Sequence, residues 1–239
     1  MKRILLSWVL VSLTLSADDK KTDFLADFIR EGVIEQEMIR TFENMDVQTK
    51  KERFYTLIAP IVLKTYNELF KQYSEVAQDI AEQKNQERVV ELKLFYGVQE
   101  DEELLAALKP HPPSIALAQA ALESGWATSR FYLKANNLYG MWSFDTEEPR
   151  IAANERRADK TIWLKRFDTI EDAVKAYYEL LATSSAYKDF RQMRLETNNP
   201  LELVKKLDNY SELGEDYTKE LRKVIRYNKL SSYDVQTDY

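Results

Sequence analysis

The sequence predicts a mainly α-helical fold with one small β-hairpin lobe and a helical extension at the N-terminus. Three observations predict it. Only 5 Gly and 6 Pro interrupt 239 residues, and Leu, Ala, Glu and Lys recur at helical spacing, which disfavours regular sandwiches and barrels. A single stretch, 151–167, abandons the helical period for an alternating one. The length suits one core with an extension better than two full domains.

At the N-terminus, Lys2 and Arg3 precede an apolar run over 4–15, and small Ser16 and Ala17 come before Asp18. This pattern predicts a secretory leader over 1–17, because the run falls short of the roughly 20 residues that cross a bilayer. An exported, periplasmic protein is expected, with no membrane insertion after cleavage. The count of 0 Cys excludes disulfides and lipid attachment through cysteine, and it fits a bacterial periplasm.

Residues 18–100 read as the helical extension. Phe24, Leu25, Phe28, Ile29, Val33 and Ile34 form a helical stripe around a break at Gly32. One or two long helices follow over 50–95, with Phe54, Leu57, Ile58, Ile61, Val62, Leu69 and Phe70 on one face and a kink expected at Pro60. The charged run 82–91 reads as a solvated face.

The main domain is expected over 101–239. It opens with a short helix over 102–108, closed by Pro110, Pro112 and Pro113. Ser114 is the predicted N-cap of the next helix, whose residues 115–122 are almost all apolar and lead into Glu123, Ser124 and Gly125. A helix apolar all round is buried all round. The alternating stretch 151–167 predicts a hairpin. Helix resumes at Asp168 or Thr169 with Glu171 and Asp172 in capping-box reach. Further helices are expected from Asn199-Pro200 and from about Glu215.

Missing residues exclude whole classes of chemistry. With 1 His and 0 Cys, zinc sites, His-dependent nucleophiles and iron–sulfur clusters lack their ligand sets. No metal or cofactor is expected, since no phosphate-binding glycine pattern appears either. His111, between Pro110 and Pro112, reads as an exposed loop residue. The formal charge of −6 argues against nucleic acid as a partner. Glycan remains compatible, and 14 Tyr and 4 Trp offer stacking platforms.

Glu123 is the sharpest signal. A carboxylate at the end of an apolar helix ionises at a cost, so its pKa should rise and a proton be retained near neutral pH. A general acid for glycoside cleavage needs that property. Trp126 and Gly125 could line a cleft, with Asn136, Asn137 and Tyr139 in the next loop. The competing assignment pairs Glu123 with Arg130 as a structural ion pair.

The segment ALAQAALESGWATSRFYLKANNLYGMW, 116–142, resembles the core motif of the glucosaminidase family of bacterial wall hydrolases, glycoside hydrolase family 73, and in particular its Bax-type branch. KKERFYTLIAPIVLKTYNEL before it resembles the branch's helical arm, and RFDTIEDAVKAYYELLATSSAYKDFRQMR and LDNYSELGEDYTKEL resemble its later helices. The resemblance implies a lysozyme-like helical domain and hydrolysis of the β-1,4 bond after N-acetylglucosamine in peptidoglycan glycan strands, by a protein expected to be a monomer. It assigns the general acid to Glu123 and a sugar-contacting loop to Asn137, Leu138, Tyr139 and Gly140. The second catalytic group falls in the β-lobe among Glu147, Glu148, Glu155 and Asp159, with Glu155 favoured because it precedes Arg156-Arg157. Where relatives carry a His-Glu pair in the following strand, this chain has Ile162 and Trp163, which removes one candidate base. Tyr210 resembles a tyrosine at the cleft floor, with Tyr177 as the alternative. Trp142 and Trp126 are expected to meet glycan ahead of Trp163. A muramidase, a lytic transglycosylase or a non-catalytic wall-binding protein are the remaining possibilities.

Overall fold

The computed structural model describes residues 44–157 and 160–234. The expected leader, the helical stripe over 24–34, Asp159 and the side chains of 154–160 lie outside the described residues.

Helix α1 (Val47–Ala81) is capped by Asp46, whose carboxylate accepts from the Thr49 N–H at 3.0 Å. Pro60 lies within α1 without ending it. Phe54, Ile58, Ala59 and Val62 turn inward and are buried, while Leu57, expected on the same face, is exposed. The first half of the arm thus forms one wall of the central core. Its second half closes over α2 (Gln86–Tyr96) and α3 (Asp101–Leu108) around a smaller cluster of Val76, Val89, Leu104 and Leu108. The charged run at 82–91 is solvated except for Val89 and the half-covered Arg88.

Helix α4 (Pro113–Ser124) is the central rod. Its residues 113–121 are all buried, as an all-round apolar pattern requires. It emerges one residue earlier than expected, since Leu122 is 37% exposed. Ser114 is not its N-cap. Pro113 occupies the first helical position, where its fixed φ and missing N–H are tolerated. Ser114 instead donates its N–H and its hydroxyl to the Asp234 carboxylate, at 2.8 and 2.7 Å. A distant carboxylate therefore satisfies the helix start that no neighbouring side chain serves.

Helix α5 (Arg130–Ala135) leads to the antiparallel pair β1 (Arg150–Arg157) and β2 (Lys160–Lys165). Arg150 pairs with Lys165, Ala152 with Trp163 and Arg156 with Thr161, with an irregularity between Ala152 and Arg156. Helix α6 (Ile170–Thr183) carries the expected capping box between Thr169 and Asp172. Then come α7 (Lys188–Glu196), the short α8 (Pro200–Leu203) and α9 (Glu215–Tyr227). Residues of α1, α4, α6 and α9 share one core, in which Leu117 at the centre of α4 is 0% exposed. Truncating such a side chain to alanine costs about 2–5 kcal/mol. The result is the mainly helical architecture with a small two-stranded lobe that the composition predicts. No described helix is long and apolar enough to cross a membrane.

Candidate active site

The site is built where α4 leaves the core. Glu123 is half-buried on the last turn. Burial pushes its carboxyl above the ordinary carboxylate range, and a hydrogen bond from Tyr217 opposes part of that shift. Arg130 does not pair with it. The guanidinium donates instead to the Ala152 carbonyl of β1, at 3.2 and 3.3 Å.

The backbone then reverses through three successive left-handed residues, Gly125, Trp126 and Ala127, with φ of 57°, 63° and 59°. Ser124 holds the reversal, its hydroxyl accepting from the Ala127 N–H at 2.8 Å while donating to the Ala120 carbonyl. A second left-handed glycine, Gly140 (φ +64°), brings the 137–141 loop against Glu123: a methyl group there would lie 3.5 Å from Glu123 Oε2. Asn137 fixes this loop. Its side-chain amide donates to the carbonyls of Met141 and Lys165, and its oxygen accepts from the Met141 N–H, all within 2.9 Å.

Gly140, which meets the carboxylate, also lines a cavity of about 620 Å³, together with Trp142, Phe144, Lys165, Tyr187 and Tyr210 among others. Trp142 and Phe144 are exposed at its edge, their ring centroids 6.1 Å apart. Such a rim suits the faces of sugar rings. Tyr187 is pushed up to about 12, by burial first and by the Glu123 charge second. Tyr210 is raised in the same way by burial and Glu123.

Behind Glu123 runs a buried chain of hydrogen bonds. The Tyr177 hydroxyl donates to Gln119 Oε1 at 2.5 Å, and Gln119 Nε2 donates to the Tyr217 hydroxyl at 2.9 Å. Tyr217, its oxygen occupied as an acceptor, has one proton left to give, and its interaction with Glu123 raises the hydroxyl and lowers the carboxyl.

The sequence-predicted residues divide accordingly. Glu123, Tyr139, Trp142 and Tyr210 are brought to one place. Tyr139 faces inward, though: its ring stacks on Tyr177 at 3.9 Å, its hydroxyl is buried without a partner, and its carbonyl accepts from the Tyr210 hydroxyl at 2.9 Å. Asn137 is 1% exposed, with its amide committed to the loop. The left-handed reversal carries Trp126 away from the cavity to pack edge-on against Phe54 and Tyr55, with the Lys51 ammonium over its ring. The backbone of Glu155 lies in β1, and its side chain is outside the described residues. Glu148 is ion-paired to Lys165 at 2.8 Å, which holds its carboxyl below the ordinary range.

Gln119, Tyr187 and Tyr217 were not expected in the site, Tyr217 being read only as an inward residue of the last helix. Gln119 had a signal, as the one polar residue within the apolar run of α4. His111 corrects its expectation outright. It is 0% exposed, stacked on Tyr178 at 4.3 Å and edge-on to Tyr177, and burial followed by the Arg194 charge holds its pKa well below the usual value. The proline run that suggested a surface loop threads under α6 instead. Among the described residues no group of three His, Cys, Asp or Glu is placed to hold a metal.

A helical domain whose buried central rod ends in a carboxyl of raised pKa, near an aromatic-rimmed cleft, has the architecture of a lysozyme-like fold. The profile of the Glucosaminidase family, described as mannosyl-glycoprotein endo-beta-N-acetylglucosaminidase, matches residues 101–230, and the chain belongs to that family. Among curated relatives, Protein bax of Escherichia coli K12 is 29% identical over 127 residues, covering 49% of this chain and 43% of the relative. The chain thus spans less than half the length of that relative. Among solved structures, the catalytic domain of the autolysin Auto from Listeria monocytogenes aligns with a TM-score of 0.52 at 15% identity, over 93% of this chain and 100% of that domain. The likeness is one of fold.

Proposed function

We propose that the chain is a peptidoglycan hydrolase, an endo-β-N-acetylglucosaminidase that cleaves the β-1,4 bond after N-acetylglucosamine with Glu123 as general acid. The observation that supports this reading is the placement of the Glu123 carboxyl, its pKa raised by burial, against Gly140, a residue that lines the cavity, with no ion-pair partner among the described residues. A protonated Glu123 gives its proton to the leaving oxygen as the glycosidic bond breaks and positive charge grows on the anomeric carbon. The Tyr217 hydroxyl then stabilises the carboxylate that remains.

Glu155 on the β-lobe is the proposed second group. In an inverting enzyme it would activate water from the opposite face, at a carboxyl separation of roughly 6.5–9.5 Å. Trp142 and Phe144 supply stacking surface, and Tyr210 offers its oxygen as an acceptor because its proton is engaged by Tyr139. Residues 101–239 are the proposed catalytic part. Residues 18–100 are the proposed extension before it, in which helix α1 completes the core, and the leader over 1–17 directs the protein to the periplasm, where a monomer acts on glycan strands.

Purified sacculi digested with the wild type and with Glu123→Gln test the proposal. The wild type should release fragments with new N-acetylglucosamine reducing ends, and the variant should be slower by about 10²–10⁴-fold. Equal release by both proteins would remove the catalytic assignment, and new muramic-acid reducing ends would replace the glucosaminidase with a muramidase.

A further inference from the structure

A second cavity, of about 400 Å³, lies between α1, α2, α3, α6 and α7, within the size range of small-molecule sites. We propose that it binds a small amphipathic carboxylate, held head-first by Arg194 and Thr65 with its hydrocarbon body against Leu69 and Leu108.

Arg194 is the first reason. It projects from α7, lines the cavity and is 2% exposed, yet no ion pair among the described residues holds it. Its hydrogen bond goes to a main-chain oxygen, from Nη2 to the Ala106 carbonyl at 2.9 Å, and its Nε has no partner. A buried guanidinium without a counter-ion is costly, and a carboxylate accepted in the planar fork would offset that cost.

The field around it points the same way. Lys109 Nζ donates to the Arg194 carbonyl at 2.6 Å, so a second cation is held close on a main-chain oxygen. Burial, and then the Arg191 charge, depress Arg194 to about 9. Of the remaining charged groups lining the cavity, Lys175 and Glu68 are 3.8 Å apart and offset each other, while Glu179 is exposed and screened by water. The uncompensated charge is therefore positive and sits at the buried end.

Thr65 supplies a second, independent orphan. It is 1% exposed, lines the same cavity, and its Oγ1 has no hydrogen-bond partner. A hydroxyl donor that lines the same cavity as a guanidinium fork can add a hydrogen bond to a carboxylate held there. Leu69, Leu108 and Ala182 supply apolar wall for a hydrocarbon body, beside polar side chains such as Gln72 and Tyr178.

Isothermal titration of the full chain with 4-methylpentanoate, and in parallel with the uncharged 4-methylpentanamide, tests this without any glycan present, so it is independent of the hydrolase proposal. The acid should bind saturably and raise the melting temperature, and the amide should bind at least about tenfold more weakly. Arg194→Met should fold, because it removes an unpaired buried charge, and should lose the response to the acid. Thr65→Val should weaken binding several-fold and decides the matter if Arg194→Met does not fold. Equal binding of acid and amide, no saturable binding of the acid up to about 10 mM, or unchanged binding by Thr65→Val and any folded Arg194→Met would each overturn the proposal.

Discussion

Gln119 donates to the Tyr217 hydroxyl at 2.9 Å, which leaves that hydroxyl a single proton to give and Glu123 as the group that receives it. A hydrogen bond donated to a carboxylate favours its ionised form and lowers its pKa. Tyr217→Phe removes that bond, so the Glu123 pKa rises further above the ordinary range. The acid then stays protonated to higher pH, and the alkaline limb of kcat/KM should move upward. Gln119→Leu should move the limb less, because Tyr217 remains. A pH–rate profile on soluble glycan fragments checks this, and an unmoved or lowered limb refutes the relay.

His111 predicts a pH effect on stability. Its folded pKa lies well below 6.5 because burial, and then Arg194, penalise the cation. A base with a depressed folded pKa contributes stability that is present above the unfolded pKa, about 6.5, and is lost as pH falls below it. His111→Phe keeps the stack on Tyr178 and has no nitrogen left without a partner. Its melting temperature should at least equal the wild type at pH 7 and decline less steeply below pH 6.5. Thermal unfolding followed from pH 7.5 to 4.5 measures both.

Asp234 predicts a cost of uncapping. It receives two hydrogen bonds from Ser114 across 120 residues of sequence. Asp234→Ala should destabilise the fold by about 0.5–2 kcal/mol, lowering the melting temperature by about 2–4 °C for each kcal/mol. Asp234→Asn, which keeps one acceptor, should lose less. Equal losses from the two variants would show that the carboxylate does not act as a cap.

Gly140 separates backbone strain from chemistry. Gly140→Ala forces a left-handed alanine, at about 1–2 kcal/mol, while its methyl meets Glu123 Oε2 at an ordinary contact distance of 3.5 Å. Stability should fall by that amount. Turnover should fall further than the loss of folded protein explains, because relief of the left-handed strain shifts the loop away from the Glu123 carboxyl. Parallel measurement of melting temperature and kcat tests the difference.

The helices were legible because their signals are local: periodicity over α1, α6 and α9, and the Thr169–Asp172 box, lie within a few residues of the elements they specify. Glu123 was legible for the same reason, as a charge following an apolar run. The site's other members depend on distance. Trp126 adjoins the acid in sequence but is carried to the opposite side by φ values that its residue type does not favour. Tyr217 and Tyr187 reach Glu123 from across the core. His111 has prolines on both sides, and its environment comes from α6 and α7, which no reading of its neighbours supplies.

The reversal at Gly125, Trp126 and Ala127 has a consequence for engineering. Two of its three residues lack glycine's freedom and each forgoes about 1–2 kcal/mol, a visible share of the roughly 5–15 kcal/mol that holds a domain folded. A search for heat-resistant variants will therefore be drawn to this hinge, where Ala127→Gly relaxes the torsion for the loss of one buried methyl worth about 0.8 kcal/mol. It would also loosen the heel on which Glu123, the proposed proton donor, stands, so the most durable variant and the fastest one should turn out to be different sequences.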